Sequence, residues 1–434
     1  MINKYTIQNK LFNFYCLYYI LSMLINDKKD ADGLQKLQNR RLQNLIHRAY
    51  QIPFYKKRFD DAGVTPDAIK TKDDLYKLPT LTKEEYRAWM QSELNNPIVK
   101  NYKLTKTSGS TGIPTTNIYP PAEYAQHYMM DMWGWMKGGY NPFWGKSLTK
   151  QPGDGDVGTK SFIQKLGILR RECFDTRWDR RDIVKKFIEY KPDFLLANSS
   201  ELIYIAQYIH ENSISIPKIK YYCPNGENIY GLAEKILKET YGPGLINLYG
   251  CTEMASFAVK APGCEDYEVM SDLVAVTVMT ENGMKSQGSG SIIVTPLYRK
   301  QYPIINYEIG DTGDIYLRDY RTIISHIKGR SNDFFTWANG KTTIFMRLWD
   351  ITSQLEDIYQ IRFIQETDTK LLIQVVKDSK TNKTEKELEK YLTSMYKNEF
   401  DGLNVKYEWL SVIPPDPNGK LRIMVSKIKK DSEE

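Results

Sequence analysis

Cysteine and histidine are scarce in this 434-residue chain, five of the one and four of the other. Cys16, Cys173, Cys223, Cys251 and Cys264 contain no C-x-x-C pair and are odd in number. That argues against a disulfide framework and fits a reducing compartment such as the cytoplasm. A zinc site would draw on Cys223, Cys251 and Cys264, but no histidine lies between the first and last of these to complete it. The histidines, His47, His127, His210 and His326, have no metal-ligand spacing. No Ser-His-Asp or Cys-His arrangement can be read from them, so hydrolase chemistry has no support. Charge of one sign is also lacking: 60 basic against 53 acidic side chains leave a net +7. That suits an anionic small molecule and is too scattered to imply nucleic acid.

Long apolar runs are absent but for Leu11 to Ile25 (LFNFYCLYYILSMLI), which follows Lys4 and Lys10. It is shorter than the roughly 20 residues that cross a bilayer, and no small-x-small cleavage site follows it closely. It reads as an aromatic helix packed on the body or on a second subunit, which would make a homodimer. Contact with a membrane surface is the alternative. The overall composition, 41% hydrophobic and 26% charged, is that of an ordinary globular protein, and the length predicts more than one packed unit.

Helix and strand patterns alternate through the middle of the chain. Asp193–Ala197 reads as a buried strand, ELIYIAQYIHE as an amphipathic helix, KIKYYC as a strand, IYGLAEKILKETYG as a helix and LINLY as the next strand. This alternation predicts a parallel sheet with crossover helices. From about Asp272 strand follows strand: DLVAVTVM, GSIIVTPL, DIYLR and TIISHIK. Beyond Arg330 comes a smaller αβ unit, with a charged helix from about Lys383 to Phe400 and strands near Val405 and Arg422.

The sharpest local signal is KTSGSTGIPT, Lys106 to Thr115. Hydroxyls and glycines gather there, and Pro114 prevents a helix from running through. Such a stretch is either a surface turn or a loop whose N–H groups and hydroxyls converge on phosphate oxygens. It is not the P-loop of nucleotide triphosphatases, since no lysine follows Gly112. Four further segments follow in order: LYGCTE (Leu248–Glu253), NYEIGDTGD (Asn306–Asp314), IKGRSNDF (Ile327–Phe334) and PPDPNGKLR (Pro414–Arg422).

Together these five segments resemble the adenylate-forming enzymes, and most of all their phenylacetate–CoA ligase and CapK-like branch. RRLQNLIHRAYQIPFYKKRFDDAG and KLPTLTKEEYR resemble that branch's amino-terminal region, so the likeness covers nearly the whole chain. It implies an α/β fold, with a large amino-terminal body over residues 1–328 that binds ATP and the acyl group. A small mobile α+β carboxy-terminal domain, residues 329–434, would close as a lid. The implied activity is attack of a carboxylate on the α-phosphate of MgATP, giving an acyl-adenylate and pyrophosphate. Transfer to CoA follows, or to an amine or hydroxyl acceptor in capsule or secondary-metabolite biosynthesis. A nucleotide-binding relative without turnover is the other reading.

By the same resemblance Thr107, Ser108, Gly109, Ser110, Thr111 and Gly112 would cradle the β- and γ-phosphates. Tyr249 would lie against adenine, Thr252 would meet an α-phosphate oxygen and Glu253 would hold Mg2+. Asp311 would take the ribose hydroxyls, ranking ahead of its neighbour Asp314. Gly226 and Glu227 resemble a turn beside the adenine, although a plain strand-to-helix loop fits them nearly as well. Arg330 would grip phosphate or ribose, with Asn332 and Asp333 as the hinge. Lys420 would be the adenylation lysine, meeting the substrate carboxylate and the α-phosphate together. Two positions depart from the pattern. Ile113 stands where many relatives have lysine, and Asn306 where arginine is usual. The identity of the acid cannot be read from the sequence.

Overall fold

The computed structural model describes residues 10–107, 114–151, 162–175, 178–226, 231–328, 334–352, 354–414 and 422–428. The chain divides into two compact units, each built from two separate stretches. One comprises Met1–Asn141 with Ile246–Lys328, the other Pro142–Leu245 with Gly329–Glu434.

The first unit opens with α1 (Lys10–Asp27), α2 (Ala31–Tyr50), α3 (Pro53–Asp61) and α4 (Lys83–Glu93). Sequence sets the starts of three of these. Asp30 caps α2, Pro53 opens α3 at a position where no N–H bond is needed, and Thr82 with Glu85 forms a reciprocal capping box on α4. Leu34, Leu37, Leu42, Leu45, Ile46 and Ala49 bury one face of α2, as their helical spacing predicts. Strands β1 (Lys103–Lys106) and β2 (Thr116–Tyr119) then pair antiparallel, and α5 (Pro121–Lys137) follows. α1 packs along α5. Its end is fastened by Asp27, whose carboxylate binds Lys137 at 3.1 Å and Arg321 at 3.0 Å.

The second unit begins with β3 (Lys146–Gln151), α6 (Phe162–Lys165), β4 (Arg170–Asp175), α7 (Arg180–Tyr190) and β5 (Phe194–Asn198). α8 (Ser199–Glu211), β6 (Tyr221–Asn225) and α9 (Gly231–Tyr241) complete the stretch. The four strands form a parallel sheet in the order β4-β3-β5-β6. A parallel sheet is what the alternating pattern predicts, with β5 and β6 as read, but LINLY, read as its next strand, lies in a separate, eight-stranded sheet.

Back in the first unit come β7 (Asn247–Cys251), β8 (Ala255–Lys260), β9 (Tyr267–Val269), β10 (Val274–Thr280) and β11 (Gly283–Lys285). β12 (Gly288–Pro296), β13 (Tyr307–Arg318) and β14 (Arg321–Lys328) follow. All eight join one sheet in the order β11-β10-β12-β13-β14-β9-β8-β7.

The second unit resumes with β15 (Phe334–Thr336), β16 (Thr342–Ile344), α10 (Phe345–Thr352), β17 (Ile358–Gln365) and β18 (Lys370–Lys377). It ends with α11 (Glu385–Met395), α12 (Lys397–Phe400), β19 (Asn404–Trp409) and β20 (Met424–Ser426). A mixed sheet runs β19-β18-β17-β20 over its own apolar core. Tyr359, Val376 and Ile413 from this stretch are also buried among Leu148, Phe187 and Ile209 of the parallel-sheet stretch, so the two halves of the unit share a core.

Candidate active site

Two of the segments singled out in the sequence, LYGCTE and NYEIGDTGD, meet in the first unit. β7 and β8 are joined by a tight turn. Cys251 pairs with Ala255, the Met254 N–H donates to the Cys251 carbonyl at 3.1 Å, and Thr252 and Glu253 sit at the tip. The ladder shifts register at Gly250. A side chain there would place its first carbon 2.1 Å from the Ala255 carbonyl oxygen, so only glycine lets the two strands approach this closely. Ala255 absorbs the turn at φ 62°.

Tyr249 on β7 donates its hydroxyl to Asp311 Oδ2 on β13 at 2.8 Å. In a flat sheet the four strand spacings between β7 and β13 would separate them by about 19 Å. The hydrogen bond therefore requires the sheet to curl round, which brings LYGCTE and NYEIGDTGD together. Burial, and then the Asp311 charge and hydrogen bond, hold the Tyr249 phenol well above its ordinary pKa. It stays a donor at every physiological pH. Asp314, its near neighbour, is instead 2.7 Å from the exposed His326.

Thr252 is exposed, whereas Glu253 is buried with 4% of its surface accessible. Glu253 Oε1 accepts the Tyr307 hydroxyl at 3.0 Å. The Cys251 thiol lies against the same carboxylate, and burial followed by that charge pushes its pKa well up. The turn's backbone is held from below. Tyr119 directs its hydroxyl at the carbonyls of Thr252 (3.0 Å) and Glu253 (2.9 Å), and Arg299 Nη1 donates to the latter at 3.0 Å.

Arg299 is wholly buried. Its Nη2 donates to the Ile118 carbonyl at 3.1 Å, its guanidinium covers the Tyr119 ring at 4.0 Å, and Glu123 lies 3.9 Å from Nε. Sequence reasoning assigned no role to Tyr119, Tyr307 or Arg299. One signal was present for the last: an arginine directly after the apolar run IIVTPLY.

Thr107 lies at the base of the β1–β2 hairpin, and its hydroxyl is used there. Its Oγ1 accepts the Thr115 N–H at 2.9 Å while its own N–H donates to the Thr115 carbonyl at 3.0 Å. Ser108, Gly109, Ser110, Thr111, Gly112 and Ile113 lie outside the described residues, as do Glu227, Arg330, Asn332, Asp333 and Lys420. Gly226 follows β6 in the second unit at φ 76°.

Asn306, one of the two departures from the expected pattern, has a structural use. It is fully buried at φ 55°, a left-handed conformation that asparagine tolerates better than most residues. Its Nδ2 donates to the carbonyls of Leu75 (2.8 Å) and Leu78 (3.0 Å), tying the segment before α4 to the start of β13. Among the described residues no group of three or more His, Cys, Asp or Glu side chains is placed to hold a metal.

The fold is that of the adenylate-forming ligases. The crystal structure of 2-hydroxyisobutyryl-CoA ligase, in the postadenylation state with 2-HIB-AMP, matches with a TM-score of 0.69. That match is 19% identical and covers 92% of this chain and 90% of that one. More particularly, residues 336–427 match the CapK C-terminal domain. The chain is 23% identical to Protein CapK of Staphylococcus aureus over 424 residues, covering 92% of this chain and 91% of that protein. It is 22% identical to phenylacetate-coenzyme A ligase of Escherichia coli (strain K12), covering 72% and 76%. CapK and the phenylacetate–CoA ligases are its homologues.

Proposed function

We propose that the chain activates a carboxylic acid with MgATP and passes the acyl group to CoA. In the first step a carboxylate oxygen bonds to the α-phosphorus and the bond to the β-phosphate breaks. Acyl-adenylate and pyrophosphate result. In the second, the CoA sulfur replaces AMP at the acyl carbon. The observation that carries this reading is the Tyr249–Asp311 hydrogen bond, which brings a motif aromatic and a motif carboxylate from 62 positions apart into one place. Homology to phenylacetate–CoA ligases supports it, and their name supplies CoA as the acceptor.

In this reading Tyr249 offers its ring to adenine and Asp311 its carboxylate to the ribose. Thr252, exposed at the turn's tip, meets an α-phosphate oxygen. Residues 107–112 receive the outer phosphates, Gly226 and Glu227 line the adenine, and Arg330 grips phosphate or ribose. Lys420, carried by the carboxy-terminal domain of residues 329–434, offsets charge that gathers as carboxylate and phosphate combine. One carboxylate beside phosphate oxygens is the donor set that Mg2+ prefers, and Glu253 fits it, since its carboxylate is oriented by Tyr307. Bound there, the metal would neutralise phosphate charge. The reaction asks for charge stabilisation and positioning more than for proton transfer, in keeping with the few histidines.

The exposed face of α1 supports self-association. Leu11, Phe14, Tyr18, Leu21 and Ile25, between 48% and 64% exposed, recur at alternating spacings of three and four residues. That is the seam of a helix pair. No Lys or Arg lies between Leu11 and Asn26 to flank the seam, as an interfacial membrane helix would require. No helix among the described residues is long and apolar enough to cross a membrane.

Acid-dependent pyrophosphate release from MgATP across a panel of carboxylates, with and without CoA, tests the function. Release with one acid, and acyl-CoA detected by mass spectrometry, is the expected result. AMP accumulation without acyl-CoA would turn the assignment towards an amine or hydroxyl acceptor. ATP binding without release from any acid would contradict catalysis.

A further inference from the structure

Tyr119 at the end of β2, Arg299 in the connection between β12 and β13, and Tyr307 at the start of β13 converge on one short turn. Arg299 reaches the Glu253 carbonyl with one terminal nitrogen and the Ile118 carbonyl of β2 with the other, at 3.0 and 3.1 Å. A planar guanidinium holds both partners from two nitrogens in one fixed geometry, where a lysine would offer rotatable donors on a single atom. β2 is the strand that leaves the Lys106–Thr115 segment. The buried arginine therefore joins the base of that segment to the turn bearing Thr252 and Glu253. Tyr119, beneath the guanidinium, adds a hydroxyl shared between the two carbonyls of the turn.

The carboxylate itself is addressed by Tyr307. Its hydroxyl lies 3.0 Å from Glu253 Oε1, and its ring is braced edge-on by Tyr86, with centroids 5.8 Å apart. A carboxylate buried to this degree needs a partner. A phenol supplies one without adding a positive charge that would compete with a bound cation.

We propose that Tyr307 is a positioning residue that sets the Glu253 carboxylate for a metal–nucleotide complex, and that Tyr119 and Arg299 fix the backbone of the same turn. The proposal rests on the adenylation reading above, and its test separates the two. The variants are Tyr307→Phe and Tyr119→Phe, which keep each ring and remove one hydroxyl. Tyr241→Phe is the control, since it loses an equally buried hydroxyl that bonds the Leu202 carbonyl at 2.9 Å in the other compact unit.

Two quantities are measured on the full chain. One is Mn2+ affinity in the presence of a non-hydrolysable ATP analogue, by electron paramagnetic resonance. The other is affinity for the same analogue without metal, by calorimetry. Tyr307→Phe should weaken Mn2+ binding by about tenfold, the size expected for one hydrogen bond to a charged group. Metal-free nucleotide affinity should stay within about twofold, and Tyr241→Phe should match the wild type in both. Tyr119→Phe should lower the rate of pyrophosphate release with little change in KM for the acid. Wild-type Mn2+ affinity in Tyr307→Phe, or an equal loss in Tyr241→Phe, would overturn the proposal while leaving adenylation standing. A wild-type protein that binds no metal–nucleotide complex would remove both.

Discussion

At the scale of single residues, the candidate site owes its shape to charges and hydroxyls placed where water is excluded. His127 shows the cost of that placement. Its Nδ1 lies 3.2 Å from the Tyr298 hydroxyl, its ring packs against Tyr119 and Tyr124, and burial, then the Arg299 charge, lowers its pKa from 6.5 to about 3. A histidine depressed in the folded state contributes stability above its unfolded pKa. That stability is lost as pH falls from about 6.5 towards 3. Wild-type unfolding free energy should therefore decline through this window. His127→Phe should be less stable at pH 8, through the lost Tyr298 contact, yet decline more shallowly between pH 6.5 and 4. Chemical denaturation at several pH values checks both. Tyr249, Thr252, Glu253 and Asp311 could be picked out in the sequence because each lies in a short motif. Arg299 and Tyr307 could not be given roles, because their partners come from distant positions such as Ile118 and Glu253. Asn306 looked like a lost arginine, and its actual use, a left-handed backbone holding two carbonyls, leaves no local trace.

At the scale of elements, the β7–β8 turn is the piece on which the site depends most. Gly250 has no room for a side chain, and what blocks it is backbone that cannot swing aside. Gly250→Ala should force the two strands apart, displace Thr252 and Glu253, and reduce adenylation by more than about tenfold. The loss in thermal stability should be that of a local distortion, on the order of 1–3 kcal/mol. Activity and melting temperature measured together distinguish this from global unfolding. Of the parallel strands, β5 and β6 were legible from the alternating helix and strand pattern, whereas β3 and β4 were not named and LINLY, read as the next strand, belongs to β7 of the eight-stranded sheet. β17 and β18 were not named in advance. β17 is buried along its whole length and carries Arg362, whose guanidinium donates to the carbonyls of Pro414 and Arg422, at 2.9 and 3.0 Å. β13 begins at Tyr307, seven residues before the strand read from DIYLR, because Gly310 at φ 91° and a ladder shift between Thr312 and Asp314 carry the glycine-rich motif within it.

At the scale of the whole molecule, each compact unit is assembled from two stretches of chain. Tyr359, Val376 and Ile413 entering the core of residues 148–241 is a tertiary fact with no local signature, which is why a linear reading divides the chain otherwise. Self-association through α1 is also a property at this scale. Phe14→Glu with Leu21→Glu should leave the fold intact, since both side chains are exposed. The pair should convert a dimer to a monomer by multi-angle light scattering, and a wild-type monomer that pellets with anionic vesicles would contradict the pairing. The central claim is acyl-adenylation, and ATP–pyrophosphate exchange with the activating acid, comparing wild type with Lys420→Ala, tests it most directly. Acid-dependent exchange in the wild type, lowered at least about a hundredfold in the variant with ATP affinity retained, is the result this account predicts. Exchange that needs no acid, or that survives undiminished in Lys420→Ala, would contradict it.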